Sequence, residues 1–245
     1  MRLNIFLNRW KKRYFPFFPS SFFSLRRCLL CGSPEVEIYF CLKCLQNIIP
    51  KQGGYCSLCG EKYVLDTSHV CSSCLKHPPP WTKFGFGVFL TDIYQKIIYD
   101  FKFQKKMEML NFLVDILENA FFEFSFLKPD IVMCIPMSKN ELRARGFNQS
   151  LELAKGLCKR LHFTLKRNLL LKIKDTLPQR ELDRKERKLN VKGCFAVKQD
   201  LQGKSVLLID DIYTTGATCF EASKVLKQKG ARTIQVLVLA RTLKK

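Results

Sequence analysis

The period of apolar and polar positions changes several times along the 245-residue chain. GFGVFL (85–90) is a compact apolar run with the aromatic and β-branched content of a strand. From Ile93 to Phe126 the apolar residues recur at helical spacing, through Ile97, Ile98, Phe101, Leu110, Leu113 and Leu117, with the basic FKFQKK in the middle. That stretch fits one long helix or two. DIVMCI (130–135) is a continuous apolar run stopped by Pro136, as expected of a buried strand, and SLELAKGLCKRL (150–161) is an amphipathic helix. CFAVKQ (194–199) and the stronger SVLLID (205–210) follow as strands. GATCFEASKVLKQKG (216–230) is a helix with Gly230 at its C-terminal end, and TIQVLVLA (233–240) is a further buried strand. Strands alternating with helices predict an α/β fold, a doubly wound parallel sheet with helices on both faces. Ligands of such sheets bind outside the carboxyl ends of the strands.

VLLIDDIYTTGAT (206–218) places chemistry at such an end. Val206 to Ile209 are the buried strand, so Asp210 and Asp211 emerge into the crevice. Tyr213 to Thr218 then form a loop and the start of the next helix, whose first N–H groups lack intrahelical partners. Gly216 lets the backbone approach a ligand, and Thr214, Thr215 and Thr218 add hydroxyls around Ala217. Together these groups make an anion cradle sized for a phosphate. The two carboxylates would repel phosphate and suit sugar hydroxyls instead. The loop is therefore expected to hold a 5-phosphate, and the aspartate pair the ribose 2- and 3-hydroxyls. No Walker-type GK[ST] loop is present.

Eight of the twelve cysteines fall into four CxxC pairs, CLLC (28–31), CLKC (41–44), CSLC (56–59) and CSSC (71–74). Tetrahedral zinc needs two facing knuckles of this kind. The residues after the pairs read G, L, G, L, a two-unit repeat. Sequential pairing is expected: Cys28, Cys31, Cys41 and Cys44 for one zinc, Cys56, Cys59, Cys71 and Cys74 for the other. A crossed pairing, first knuckle with third, is the alternative. Four thiolates leave no open position for water, so both sites are structural. His69 and His77 are expected on the surface, and Cys134, Cys158, Cys194 and Cys219 in the core. Zinc thiolates beside unpaired cysteines imply a reducing, cytoplasmic compartment.

The formal charge of +21 is uneven. Residues 1–34 hold no Asp or Glu, and Lys139 to Lys192 carry sixteen Lys or Arg against six acids. Such a field attracts polyanions: nucleic acid, anionic lipid or a small phosphorylated ligand. Residues 1–27 mix basic and aromatic residues without the uninterrupted apolar core of a secretory signal, and no run is long enough to span a membrane. We expect a poorly ordered extension, with peripheral contact to the inner membrane as the alternative. KHPPPW (76–81) reads as a stiff linker. The expected layout is the extension at 1–27, a double zinc ribbon at 28–77, and an α/β domain at 81–243.

The run VLLI, Asp210–Asp211, Thr214-Thr215-Gly216-Ala217-Thr218 resembles the signature of type I phosphoribosyltransferases, which implies a site for phosphoribosyl pyrophosphate (PRPP) with Mg²⁺. CIPMSKNELRARGFNQSLELA (134–154) sets Arg143, Arg145 and Gly146 after a strand and resembles that family's pyrophosphate-contacting loop. LPQRELDRKERKLNVKGCFAV (177–197) resembles its mobile loop, with Arg180, Arg184 or Arg187 directed to the pyrophosphate. With the zinc ribbons and FKFQKK, residues 28 to 242 resemble the competence protein F family. The resemblance implies a PRPP-pocket protein acting on or with single-stranded DNA in DNA uptake and natural transformation, alongside other uptake proteins. Two alternatives stand beside it. One is an active phosphoribosyltransferase using a nucleobase or other acceptor, although the ribbon occupies the place of a base-recognising hood and offers no obvious acceptor pocket. The other is a membrane-surface scaffold for DNA-uptake proteins.

Overall fold

The computed structural model describes residues 27–36, 39–48, 51, 53–64, 66–176 and 184–243. The chain divides into two compact units, Met1–Pro50 and Lys51–Lys245. The expected basic aromatic extension lies almost wholly outside the described residues.

In the smaller unit, the turn at Cys28–Cys31 closes with Gly32 N–H donating to the Cys28 carbonyl at 2.9 Å. Helix α1 (Leu42–Leu45) follows Cys41, its N-cap. The larger unit begins with the second knuckle pair and α2 (Ser72–Lys76), which Cys71 caps by accepting from the Cys74 N–H. Then come β1 (Lys83–Phe89), α3 (Asp92–Phe103), a 3₁₀ turn (Met107–Met109), α4 (Leu110–Glu123), β2 (Ile131–Cys134), α5 (Lys139–Arg145) and α6 (Gln149–Leu161). The chain closes with β3 (Leu170–Lys172), α7 (Arg184–Asn190), β4 (Phe195–Val197), β5 (Ser205–Tyr213), α8 (Ala217–Gln228) and β6 (Thr233–Arg241).

Four parallel strands form the sheet, in the order β1-β6-β5-β2. Period-2 alternation sends Val206 and Leu208 of β5, with Val236 and Val238 of β6, into the core cluster that also holds Ala222 and Leu226 of α8. The opposite face meets α4: a Cβ on Gly87 would lie 2.2 Å from Ile116. Helices therefore cover both faces, as a sheet of continuous apolar strands requires. Among the described residues, no helix is long and apolar enough to cross a membrane.

One open reading is decided and two change. The apolar stretch from Ile93 is two helices, because Lys105 takes φ +53° and an α-helix cannot run through it. CFAVKQ is a strand but lies outside the parallel sheet, pairing antiparallel with Leu170–Lys172. Three residues pair there, too short a signal for the apolar pattern to distinguish. Lys139–Arg145, expected as loop, is a helix closed at its N-terminus by a capping box. Ser138 accepts from Glu141 N–H, and the Glu141 carboxylate accepts from Ser138 N–H at 2.7 Å.

Candidate functional site

Parallel registry aligns the carboxyl ends of the strands. Cys134 sits opposite Ile209, Tyr213 opposite Arg241, and Arg241 opposite Phe89. Asp210 and Asp211 thus leave β5 at one rim, together with the residues that follow β1 and β2.

The two carboxylates have different surroundings. Asp210 is buried, accepting from the Ser150 hydroxyl at 2.9 Å and from the Asp211 N–H at 2.9 Å. The Cys219 thiol, under the start of α8, lies 3.8 Å from its other oxygen. Burial, reinforced by the neighbouring charge of Asp211, pushes the Asp210 carboxyl up to about 7, against the lowering effect of these donors and of Lys102. Asp211 is half-buried and ion-paired with Lys102 Nζ at 2.7 Å. One acid is poised between its protonation states, and the other is already charge-compensated.

Gly216 is the N-cap of α8, with φ +79°. A Cβ there would lie 2.1 Å from the Tyr213 hydroxyl, so only glycine fits by conformation and by space. No side chain caps this helix at Gly216. Its first amides and the hydroxyls of Thr214, Thr215 and Thr218 surround the turn, and Thr215 Oγ1 accepts from the Ala217 N–H at 3.4 Å.

Arg241 fixes the loop from below. The residue is 3% exposed, and its guanidinium donates to the Thr214 carbonyl at 3.0 Å and to the Cys59 carbonyl at 2.8 Å, with Glu61 Oε2 at 3.1 Å. Trp81 adds a second tie, its indole N–H donating to the Leu58 carbonyl at 2.8 Å while its ring meets Tyr213 edge-on. The second knuckle pair and the β5–α8 loop are thus parts of one packed region.

The turn carrying Arg143, Arg145 and Gly146 ends α5, with Gly146 as its left-handed cap. Arg143 is exposed, whereas Arg145 is turned toward Phe103 and donates to Gln149 Oε1 at 3.0 Å. Of the expected mobile-loop residues, Arg180 lies outside the described residues and Arg184 opens α7. Arg187 has a buried Nε without a hydrogen-bond partner among the described residues. Lys102, Ser150 and Arg241 were not singled out by sequence. FKFQKK reads as a basic run in which none of its three lysines stands out. The signal for Arg241 was its register opposite Tyr213, which only strand pairing supplies.

The cysteines group sequentially. The sulfurs of Cys28, Cys31, Cys41 and Cys44 lie within 4.8 Å of one another, as do those of Cys56, Cys59, Cys71 and Cys74. The separations of 3.6 Å (Cys31–Cys41) and 3.8 Å (Cys59–Cys71) match the edge of about 3.8 Å that a ZnS₄ tetrahedron with bonds of about 2.3 Å requires. Cys56 Sγ also accepts the N–H groups of Leu58 and Cys71 at 3.4 and 3.3 Å. A hydrogen bond from Cys59, followed by these amides, draws its thiol down to about 4 despite burial. The donor sets fit two structural zinc ions. His69 stacks on Tyr63 at 4.0 Å and is exposed, like His77, and the four remaining cysteines are buried.

Comparison with known proteins agrees with this composition. The double zinc ribbon domain family matches residues 18–75. A purine phosphoribosyltransferase from Pyrococcus horikoshii overlays with a TM-score of 0.36 and 20% identity, over 55% of this chain and 74% of that one. That overlay is too loose to carry an argument, and the fold is read from the sheet itself. The DNA utilization protein YhgH of Shigella flexneri is 28% identical over 221 residues, 83% of this chain and 97% of its own. Competence protein F of Haemophilus influenzae is 30% identical over 230 residues, 90% of this chain and 99% of its own. With that identity sustained across nearly the whole of both chains, this chain belongs to the competence protein F family.

Proposed function

We propose that this protein binds PRPP with Mg²⁺ at the β5–α8 rim and acts with single-stranded DNA during DNA uptake. The observation that carries the reading is the pairing of a glycine-started helix N-terminus with two carboxylates at the end of the same strand. The amides of α8 and the hydroxyls of Thr214, Thr215 and Thr218 take the 5-phosphate. Asp210 and Asp211 accept the ribose hydroxyls, with Lys102 exchanging Asp211 for an anionic oxygen of the ligand. Arg143 and the basic residues around α7, Arg187 with its unsatisfied Nε among them, serve the pyrophosphate. The DNA role is supported by the names of the relatives and by the charge of +21. Two thiolate zinc sites favour a reducing cytoplasmic setting.

Thermal protection tests the reading. PRPP with Mg²⁺ raises the melting temperature of the wild type and leaves an Asp210→Asn/Asp211→Asn variant unchanged; no shift in the wild type rejects it. Pyrophosphate release in the presence of nucleobases would identify an active transferase instead of a binding protein.

A further inference from the structure

Three consecutive residues of the CSLCG knuckle, Leu58, Cys59 and Gly60, reach the sheet of the larger unit by three different routes. The Leu58 carbonyl accepts from the Trp81 indole, and the Cys59 carbonyl from Arg241 Nε, both at 2.8 Å. Gly60 presses its bare backbone onto a ring, for a Cβ there would lie 2.9 Å from Phe84. All three routes converge on Tyr213. Trp81 and Phe84 meet its ring edge-on, Phe84 with centroids 4.7 Å apart. The Arg241 guanidinium lies 5.0 Å from the same ring centre while donating to the next carbonyl, that of Thr214, at 3.0 Å. The Tyr213 hydroxyl in turn fills the space over Gly216, the N-cap of α8.

The knuckle end of this chain of contacts has two states, because metal decides its fold. Cys56 Sγ accepts the N–H groups of Leu58 and Cys71 at 3.4 and 3.3 Å, so the backbone is wrapped around the sulfur. Four sulfurs within 4.8 Å of one another cannot all carry charge without a cation among them, and a quartet without metal opens. Opening withdraws the Leu58 and Cys59 carbonyls from Trp81 and Arg241, which are 5% and 3% exposed. Two buried donors then lose their acceptors, and the packing around Tyr213 loosens with them.

Apolar packing alone would join the ribbon to the sheet without direction. Here two main-chain carbonyls of a metal knuckle are spent on the side chains that also hold Tyr213 and Thr214. We infer that the second zinc site and the β5–α8 rim are energetically coupled through Tyr213. Zinc in the quartet Cys56, Cys59, Cys71 and Cys74 holds the loop in its binding form, and a ligand at the rim tightens the zinc. Whatever factor zinc adds to affinity at the rim, the ligand adds to affinity for zinc. The second ion thus makes the rim responsive to zinc supply, beyond holding its own ribbon together. The reciprocal half rests on the proposed binding of PRPP, whereas the effect of zinc on the loop does not.

Two measurements on the full-length protein in zinc-replete buffer test the coupling, one in each direction. In Cys74→Ser, which empties the quartet, hydrogen exchange at 213–218 rises about tenfold while the buried strand at 206–209 keeps its protection. Exchange unchanged at the loop, or raised equally in strand and loop, overturns the inference. Zinc release to a chromophoric chelator, with and without PRPP in excess Mg²⁺, reads the other direction on the wild type. One of the two zinc ions leaves about tenfold more slowly with PRPP present. Trp81→Phe, which keeps the ring and removes the donor to Leu58, loses most of that protection. If PRPP fails to raise the wild-type melting temperature, the PRPP reading falls and the exchange measurement decides the coupling. If PRPP raises it and both zinc ions leave within about twofold of their unliganded rates, the coupling is wrong and the PRPP reading stands.

Discussion

Replacing Arg241 with methionine removes the link between the second cysteine quartet and the β5–α8 loop while keeping most of the side-chain volume. Arg241 is 3% exposed, and its guanidinium serves the Cys59, Thr214 and Thr242 carbonyls together with Glu61. A buried acceptor deprived of its donor costs about 1–3 kcal/mol, and breaking a fully buried ion pair about 3–5 kcal/mol. Glu61 keeps 19% of its side chain in water, and carbonyls with two lone pairs can recruit other donors, so the lower end applies. We expect a loss of about 3 kcal/mol, or about 6–12 °C in melting temperature for a unit of this size. Calorimetry in zinc-replete buffer measures both quantities, and hydrogen exchange at residues 213–218 reports the opening of the loop itself. Faster exchange at the loop is the distinguishing result, because it separates a brace from an ordinary buried pair. Melting within about 2 °C of wild type, below the shift of a single kcal/mol, would refute the energetic reasoning. Destabilisation with loop exchange unchanged would refute the brace.

Gly216→Ala combines a left-handed backbone, costing about 1–2 kcal/mol, with a methyl driven into the Tyr213 hydroxyl; loss of PRPP-induced stabilisation and a lower melting temperature are expected from a thermal melt. Metal analysis returns two zinc ions per chain, and Cys56→Ser returns one and speeds exchange at 213–218 through the Cys59–Arg241 link. The folded Asp210 carboxyl, at about 7, holds a proton that the unfolded chain releases near the ordinary value of 3.8. The sign follows: between those values the folded state binds more protons, so ligand-free stability falls as pH rises, whereas ligand binding to the ionised carboxylate strengthens. PRPP affinity should therefore drop about fivefold from pH 7 to pH 6, as followed by the ligand-induced melting shift.

The sheet and the β5–α8 turn were legible because both are local. VLLI is a buried run wherever it occurs, and a glycine-started helix after two acids presents its amides and carboxylates to one rim by strand geometry alone. The cysteine quartets were legible as spacing, and the G, L, G, L repeat favoured the sequential grouping that the sulfur positions show. Long-range registry was not legible. Arg241 looks like the basic end of a strand until pairing sets it opposite Tyr213. Lys102 looks like one lysine of a basic run until the break at Lys105 ends α3 and its side chain meets Asp211. Ser150 follows a cap in sequence, yet its hydroxyl is spent on Asp210 across 60 positions of chain. The Lys139–Arg145 helix was missed because seven residues hold too few apolar positions to show a period, and its evidence is the Ser138–Glu141 box.

Calorimetric titration of PRPP with Mg²⁺ into the wild type and the Asp210→Asn/Asp211→Asn variant, each with and without competing single-stranded DNA, tests the central claim most directly. The account predicts saturable binding at one site per chain, lost in the variant, and weakened by the competing strand. Absence of heat from the wild type, or equal binding by the variant, would contradict it and leave the β5–α8 rim as architecture alone.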